Sequence, residues 1–253
     1  MPDARGLYSM QEVETIAFIQ ARLTSSRLPN KVLEKIGPWT ALELMLKRLE
    51  LSKRLDRIVV LIPDNHQNDR LSDYLNSVLH CAVVRGDETD VLSRFIKASE
   101  QFPAKYYVRL TADCPLICPD IVDQVINLSI REDADYSHNV SPATFPNGFD
   151  VECLKAGTLA WIDTKATNPS WREHVTLGLR EHSSLPSDLK IFNLEHDGDS
   201  AANVRLTLDY IEDLEVMRII YRKFGERLLT IGSEELIEFY RQEKLFQLNG
   251  HFD

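Results

Sequence analysis

The sequence predicts an α/β fold in which a mainly parallel, Rossmann-like sheet carries helices on both faces. Short apolar runs alternate with amphipathic segments through the first 130 residues, which is the pattern of repeated strand–helix units. Several of these runs end in polar loops, and ligands of open α/β sheets bind just beyond the carboxyl ends of strands. The chain has 253 residues, of which 43% are hydrophobic, so it can bury a sizeable core.

Composition and charge narrow the class of protein. The formal net charge of −10 argues against nucleic-acid binding, which usually needs a basic face. No stretch is long and apolar enough to cross a bilayer, so we expect no membrane partner and a cytoplasmic location. Residues 1–14 lack the apolar core of a signal peptide, and we predict a flexible N-terminal extension followed by a single domain at 15–253. The four cysteines form neither a CxxC pair nor a zinc spacing, so we expect reduced thiols.

The first apolar run, residues 16–19, predicts a buried strand that leads into a polar loop. The loop carries three cations and three hydroxyl side chains: Arg22, Arg27, Lys31, Thr24, Ser25 and Ser26. Guanidinium groups bind phosphate oxygens in pairs, and an ammonium group adds a point charge. A solvated basic loop is the alternative, and composition alone favours the two interpretations about equally. The position of the loop, directly after a strand, favours a polyphosphate site.

Strands and amphipathic helices alternate after this loop. Thr40 and Glu43 have the spacing of a capping box and begin the first helix. The next predicted elements are a strand at 57–62, a helix at 69–79, a strand at 81–86, a helix at 91–101, a strand at 106–111 and a helix at 120–131. Farther along we predict a loop at 140–149, a strand at 150–154, a helix beginning near 169, a strand at 203–209, a helix from 210 and a final helix at 233–248.

Several acidic residues lie at predicted strand ends or turns. Asp113 follows the strand at 106–111, where a carboxylate can bind Mg²⁺ but where a turn residue is the commoner role. Two Asp-x-Asp sequences, at 133–135 and 197–199, match the short metal motif of many glycosyltransferases, but a helix-end or turn role is favoured for both. Glu212 and Asp213 fall in the first turn of a predicted helix, where the helix dipole is enough to explain them.

The loop after the first strand resembles a known family. Its matching residues are Ala21-Arg22, Ser25 or Ser26, Arg27-Leu28-Pro29 and Lys31, in the pattern A-R-x-x-S-x-R-L-P-x-K. This pattern is similar to that of the cytidylyltransferases that activate acidic sugars. The subgroup that it resembles is named for the spore-coat polysaccharide biosynthesis protein F and is related to the CMP-Kdo and acylneuraminate cytidylyltransferases. Asn30 stands where that family usually has Gly, and because Asn tolerates a left-handed backbone, we expect the turn to survive.

The same resemblance extends over about residues 16–224. Further matches are R-G-x-x-x-D-V-L-x-R-F at 85–95, R-L-T-A-D-C-P-L at 109–116, T-F-P-x-G-x-D-V-E at 144–152, R-E-H at 172–174 and R-L-T-x-D-x-x-E-D-L-E at 205–215. Together they imply the nucleotide-diphospho-sugar transferase fold and a homodimer.

The resemblance also implies roles for individual residues. Those implied for nucleotide binding are Ala21, Arg22, Ser25, Ser26, Arg27, Lys31, Arg85, Asp90, Thr111, Ala112 and Asp113. Asp113 and Asp209 are implied as ligands of a Mg²⁺ cofactor. The acceptor-side candidates are Phe145, Asn147, Asp150, Arg172 and His174. The residues themselves leave alternatives open: helix capping for Asp90, an Asn-Gly turn at 147–148, and an ion-pair network around Arg172.

These roles imply a Mg²⁺-dependent transfer of CMP from CTP to an acidic or phosphorylated sugar-like hydroxyl, with release of pyrophosphate. The residues expected to act in catalysis are Arg22, Arg27, Lys31, Asp113 and Asp209. The sequence identifies no general base. Two other classes stay open: a glycosyltransferase of related fold that uses a nucleotide sugar, and a non-catalytic nucleotide-binding module. UTP or GTP in place of CTP is a nearer variant.

Overall fold

The centre of the computed structural model is a sheet that contains seven strands within the described residues, 14–181 and 185–252. The predicted extension at 1–14 lies outside these residues, except for Glu14. The strands β1 to β9 are, in chain order, Thr15–Gln20, Lys35–Ile36, Trp39–Thr40, Arg57–Pro63, Ala82–Gly86, Tyr106–Thr111, Tyr136–His138, Glu152–Lys155 and Ile191–Asn193. The sheet order is β5-β4-β1-β6-β8-β7-β9, and β2 pairs with β3 in a separate hairpin.

The pairing confirms a mainly parallel sheet. Strand β1 runs parallel to both of its neighbours, β4 and β6, and β4 runs parallel to β5. Strand β8 is antiparallel to both β6 and β7, while β7 and β9 are parallel. The strands β5, β4, β1 and β6 therefore end at one edge of the sheet. The prediction that the polar loop after β1 lies at a ligand-binding edge requires this arrangement.

Helices cover both faces of this sheet, as predicted. The helices α1 to α10 are Ala41–Leu49, Asp69–Ser77, Val91–Gln101, Pro119–Glu132, Ala156–Lys165, Pro169–His174, Leu177–Glu181, Ile211–Phe224, Ser233–Gln242 and Phe246–Asn249. None of the helices in the described part of the chain is long and apolar enough to cross a bilayer.

The apolar residues of the strands divide between two buried clusters. Ala17 and Ile19 belong to the cluster that includes residues of α1, α4, α8 and α9. Ile16 and Phe18 belong to the other, with residues of α3 and α5. Because successive side chains of a strand point to opposite faces, a run that is apolar throughout must be covered on both sides. The unbroken apolar run of β1 therefore fixes the three-layer arrangement.

Two predicted elements differ from the structure. Residues 203–209 form no strand: the N–H groups of Leu206 and Leu208 donate to the carbonyls of Asn147 (2.7 Å) and Asp113 (2.7 Å), which lie in loops. The alternation of apolar and polar residues in this segment reflects burial against the core and not membership of the sheet. The predicted final helix at 233–248 is interrupted, because Lys244 adopts a left-handed backbone (φ 53°) between α9 and α10.

The first helix has the predicted capping box. The Thr40 hydroxyl oxygen accepts a hydrogen bond from the Glu43 N–H at 3.1 Å, and the Glu43 carboxylate accepts one from the Thr40 N–H at 3.4 Å. Thr40→Ala is expected to lower the free energy of unfolding by about 1 kcal/mol, because the helix loses this acceptor. Thr40→Ser keeps the oxygen and is expected to keep most of the stability. Urea unfolding followed by circular dichroism measures both, and equal losses would contradict the capping role.

Candidate functional site

A cavity of about 200 Å³ opens where β1 and β6 end. It is lined by Gln20, Ala21, Arg22, Ser25, Ser26, Arg27, Lys31, Val32, Val91, Arg94, Thr111, Ala112, Asp113, Glu173, His174 and Asp209. We call it the first cavity. It brings together the polar loop after β1, the residues after β6 and the residue at the end of the 203–209 segment. Most of the residues predicted to bind the nucleotide lie in its wall.

The polar loop has a defined backbone. Asn30 adopts a left-handed conformation (φ 61°, ψ 17°), which confirms that Asn supports the turn where the resembling family has Gly. The Asn30 N–H donates to the Leu23 carbonyl at 3.0 Å and closes the loop. The buried side chain of Asn68 accepts a hydrogen bond from the Leu23 N–H at 2.9 Å. These contacts lead the chain into a short 3₁₀ turn at Lys31–Leu33, whose first residue enters the cavity.

Lys31 joins the two predicted metal ligands. Its ammonium lies 3.0 Å from Asp113 Oδ2 and 2.7 Å from Asp209 Oδ1, and the residue is only 8% exposed. Arg27 Nη2 lies 2.7 Å from the same oxygen of Asp209. Burial opposes the charge of Lys31, but the two carboxylates outweigh it and raise the Lys31 pKa. For Asp113 burial acts in the opposite sense, yet Lys31 and the Thr111 hydroxyl hold its pKa below the usual range.

The Asp113–Asp209 pair suits a magnesium ion. Mg²⁺ takes one or two carboxylates from the protein and completes its shell with phosphate oxygens and water. In the part of the chain that the structure describes, no group of three or more His, Cys, Asp or Glu side chains is arranged to hold a metal. The donor set therefore fits an ion that arrives with a phosphate ligand better than a structural metal held by protein alone.

Asp213 supports this cluster from behind, and the sequence interpretation of it as a simple helix-end acid was incomplete. Its buried carboxylate accepts hydrogen bonds from Arg205 Nε (2.9 Å) and Nη2 (3.1 Å) and from Asn249 Nδ2 (2.9 Å). It also accepts from the backbone N–H groups of Asp209 and Tyr210, each at 2.9 Å. The carboxylate thus fixes the backbone that presents Asp209.

Three residues with predicted ligand roles form ion pairs and are not in the wall of the first cavity. Arg85 contacts Asp64 at 3.2 Å and Asp69 at 2.7 Å. Asp90 caps α3 and accepts a hydrogen bond from Arg172 Nε at 2.6 Å. Arg172 also contacts Asp163, at 3.0 Å, so it forms the ion-pair network that was the alternative interpretation. Neither cavity described here includes these three in its wall, and their ligand roles stay predictions.

Arg94 is a site residue that sequence reasoning missed. It is 2% exposed and lines the first cavity; its Nη1 donates to the Leu61 carbonyl at 3.3 Å, and its Nε has no hydrogen-bond partner among the described residues. Burial, and then the charge of Arg22, lower its pKa to about 10. A Cβ at Gly86 would lie 2.7 Å from Arg94 Cγ, so glycine makes room for it. The signal was present, because Arg94 belongs to the motif at 85–95.

A second cavity, of about 420 Å³, shares Thr111 with the first. Its wall consists of Arg109, Thr111, Val140, Ala143, Phe145, Asn147, Asp150, Glu152, Arg180 and Ala202. Three predicted acceptor-side residues, Phe145, Asn147 and Asp150, are therefore together, whereas His174 lies in the first cavity. Two cavities that share Thr111, with Asp113 in the wall of one, suit a reaction between two ligands.

The charged residues of the second cavity centre on Glu152, which the sequence analysis did not single out. Its buried carboxylate contacts Arg109, accepts hydrogen bonds from Tyr136 Oη (2.5 Å) and Thr176 Oγ1 (2.6 Å), and lies 3.7 Å from Arg180 Nε. Burial favours its neutral form, but the two arginines outweigh this and lower the Glu152 pKa. Two guanidinium groups thus face one ionised carboxylate.

Comparison with known proteins gives three findings. Residues 16–244 match the sequence model of a family described as cytidylyltransferase. The chain is 32% identical to the spore coat polysaccharide biosynthesis protein SpsF of Bacillus subtilis, over 88% of this chain and 92% of that one. Its fold is similar to that of a cytidylyltransferase from Leptospira borgpetersenii, with a TM-score of 0.87, 28% identity, and coverage of 96% of this chain and 100% of the other.

A more distant structure shares the fold alone. The CMP:2-keto-3-deoxy-manno-octonic acid synthetase complexed with CTP superimposes with a TM-score of 0.61 at 14% identity, over 83% of this chain and 99% of that one.

The network around Asp213 predicts that substituting Asp213 destabilises the protein much more than substituting its neighbour Glu212. Asp213→Asn is expected to lower the free energy of unfolding by about 3 kcal/mol, because the buried Arg205 guanidinium loses its nearer charged partner and keeps only Asp209, at 3.5 Å. Glu212→Gln, in the same helical turn, is the matched control and is expected to cost less than about 1 kcal/mol. Denaturant unfolding measures both. Similar losses for the two variants would mean that Asp213 acts only through the helix dipole.

Proposed function

The chain belongs to the cytidylyltransferase family, and from that premise we propose a Mg²⁺-dependent transfer of CMP from CTP to an acidic or phosphorylated sugar-like hydroxyl, with release of pyrophosphate. The enzyme has the nucleotide-diphospho-sugar transferase fold. The observation that carries the proposal is the cluster of Lys31, Asp113 and Asp209 at the carboxyl ends of the parallel strands. The name of the Bacillus subtilis relative supports a role in the synthesis of polysaccharide precursors.

The first cavity would bind the nucleotide. Arg22, Arg27 and Lys31 all line this cavity, and they would hold the β- and γ-phosphates and stabilise the charge of the departing pyrophosphate. Arg94 adds a buried guanidinium whose Nε is free to donate. Asp113 and Asp209 would hold Mg²⁺, which when bound would supply charge stabilisation at the α-phosphate. Such transfers depend mainly on positioning and electrostatics, and these residues supply both.

The second cavity would bind the acceptor. Arg109 and Arg180 both lie in its wall, and guanidinium groups donate paired hydrogen bonds to carboxylates and phosphates. The two arginines would therefore hold a carboxylate or a phosphate on the acceptor. The acceptor hydroxyl would then approach the α-phosphorus from the side of Thr111, which both cavities share.

No specific observation favours the glycosyltransferase alternative. Asp135 lies 3.4 Å from Lys155 and accepts a hydrogen bond from the Lys190 N–H at 3.0 Å. Asp199 is exposed, and neither acid is in the wall of either cavity. The homodimer, the cytoplasmic location and the choice of CTP over UTP or GTP stay predictions of the sequence resemblance.

The reaction class can be tested by pyrophosphate release. We expect release with CTP and Mg²⁺ in the presence of a sugar acid or of a sugar or polyol phosphate, and little release with ATP, GTP or UTP. A coupled phosphate assay across a panel of such acceptors measures it. Release with a nucleotide sugar as the sole donor, and none with CTP, would contradict the proposal.

If Asp209 binds the metal, substituting it should greatly lower the reaction rate, whereas substituting the exposed Asp199 should not. Asp209→Asn is expected to lower kcat by about 10²- to 10³-fold, comparable to the loss of one group that stabilises a transition state. Asp199→Asn, at an exposed position outside both cavities, is the control and is expected to keep full activity. Initial rates of pyrophosphate release measure both. Near-normal activity of Asp209→Asn in a folded protein would contradict the assignment.

Arg94 and Arg85 belong to one motif, but only Arg94 lies in the wall of the first cavity. Substituting each of them tests whether the cavity or the sequence resemblance identifies the arginine that binds CTP. Arg94→Met is expected to weaken CTP binding by roughly 10- to 100-fold, the size of a lost charge-assisted hydrogen bond. Arg85→Met tests the resemblance, and we expect the smaller loss there because Arg85 lies outside the cavity in ion pairs. Calorimetric titration with CTP measures both. A larger loss for Arg85→Met would favour the resemblance over the geometry.

A further inference from the structure

Asp150 differs from Glu152, the other acid of the second cavity, because its carboxylate has spare capacity to accept hydrogen bonds. Within the described residues it accepts one, from the Gly148 N–H, at a long 3.4 Å. Glu152, in the same cavity wall, contacts Arg109, Tyr136 and Thr176. A carboxylate can accept about four hydrogen bonds, so Asp150 keeps most of its acceptor sites for a ligand.

The backbone on both sides of Asp150 is held firmly. The buried side chain of Asn139 donates to the Phe149 carbonyl at 2.8 Å and accepts from the Val151 N–H at 2.8 Å. Gly148 has a φ of 112°, and a Cβ there would lie 2.5 Å from backbone atoms of Leu206. The backbone from which the Asp150 side chain extends is therefore fixed by neighbours on both sides, as the support of a catalytic group requires.

The segment that carries Asp150 is also tied to the metal-binding acid Asp113. The Asn147 N–H donates to the Val204 carbonyl at 3.0 Å, and the Leu206 N–H donates back to the Asn147 carbonyl at 2.7 Å. Two residues farther on, the Leu208 N–H donates to the Asp113 carbonyl at 2.7 Å. One continuous segment, residues 204–208, thus forms hydrogen bonds with the loop that carries Asp150 and with the loop that carries Asp113. It fixes the position of the two loops relative to each other.

The electrostatic surroundings suit a base that works near neutral pH. Burial raises the pKa of Asp150 to about 6; the Gly148 N–H opposes this, Glu152 and Asp113 add to it, and Arg109 lowers it. Arg180, on α7, is the further charged group in the wall of this cavity. A general base is most effective when its pKa lies near the working pH.

We propose that Asp150 is the general base of the reaction and accepts the proton of the acceptor hydroxyl. The proposal rests on the proposed transfer of CMP. The hydroxyl oxygen forms a bond to the α-phosphorus of CTP, and the bond from that phosphorus to the bridging oxygen of pyrophosphate breaks. The hydroxyl proton moves to a carboxylate oxygen of Asp150, and pyrophosphate leaves with the bonding electron pair. Protonated Asp150 then returns its proton to solvent.

Other groups of the two cavities fit this role less well. Asp113 and Asp209 are both engaged by Lys31. Cys114 is buried beside Asp113, and burial and the neighbouring acids raise its pKa well above the ordinary value, so little thiolate forms. His174 is exposed and lies in the wall of the first cavity, not in that of the second, where the acceptor would bind.

The test is the pH dependence of kcat for pyrophosphate release, with saturating CTP, Mg²⁺ and 3-deoxy-manno-octulosonate or whichever acceptor of the panel reacts fastest. In the wild type we expect kcat to rise with pH through about 6 and then level off, because Asp150 must lose its proton before it can accept another. Asp150→Asn is nearly isosteric and is expected to lower the plateau by about 10²- to 10⁴-fold and to remove the acidic limb. Asp199→Asn is the matched control and is expected to keep both.

Each outcome decides the proposal. A limb near pH 6 that persists in Asp150→Asn belongs to the substrate or another group and overturns it, as does a higher KM for the acceptor with unchanged kcat. Calorimetric CTP binding and thermal unfolding report whether Asp150→Asn is folded. If it is not folded, the pH profile of the wild type decides: a kcat that does not fall as the pH is lowered below 6 overturns the proposal, and a kcat that does fall supports it. If the wild type releases no pyrophosphate from CTP with any acceptor, the proposed function itself fails, and the inference fails with it.

Discussion

The bridge from Lys31 to Asp113 and Asp209 is the contact on which the rest of the site depends. It joins residues that are 82 and 178 positions apart in the chain, and it does so at a buried position. Two carboxylates side by side in a low dielectric would repel each other and favour protonation. The ammonium of Lys31 contacts both carboxylates and holds the pKa of Asp113 below its usual range. The bridge therefore holds together the two acids to which the proposed function assigns Mg²⁺.

The bridge in turn requires support from the last part of the chain. Asp213 receives five hydrogen bonds, two from Arg205, one from Asn249 and two from the backbone at Asp209 and Tyr210. Asn249 also accepts a hydrogen bond from Tyr240 Oη at 2.7 Å. The helices at the C-terminal end therefore belong to the support of the site as well as to the core. A buried charged network of this kind is stable only when every member is paired, which ties the folding of this region to the shape of the site.

The change from parallel to antiparallel pairing between β6 and β8 separates the two cavities. The parallel strands direct their carboxyl ends and the cationic loop to the first cavity, where the nucleotide would bind. The antiparallel β8 begins at this same edge, so Glu152 at its start and Asp150 just before it come to lie beside the end of β6. A single reversal of strand direction thus brings a second set of carboxylates to the reaction edge, next to Asp113.

The sequence alone determined the fold class, the extents of β6 and α3, the capping box of α1, and the segments that carry Lys31, Asp113 and Asp209, because each depends on a pattern within about ten to fifteen neighbouring residues. Only the tertiary structure decided which charges meet. It placed Arg94 and not Arg85 in the cavity wall, engaged Arg172 with Asp90 and Asp163, distinguished Asp213 from Glu212, and left 203–209 without a strand to pair with. The partner of a charged side chain is often distant in the chain. A local sequence pattern does not indicate which distant group will lie close once the core has packed.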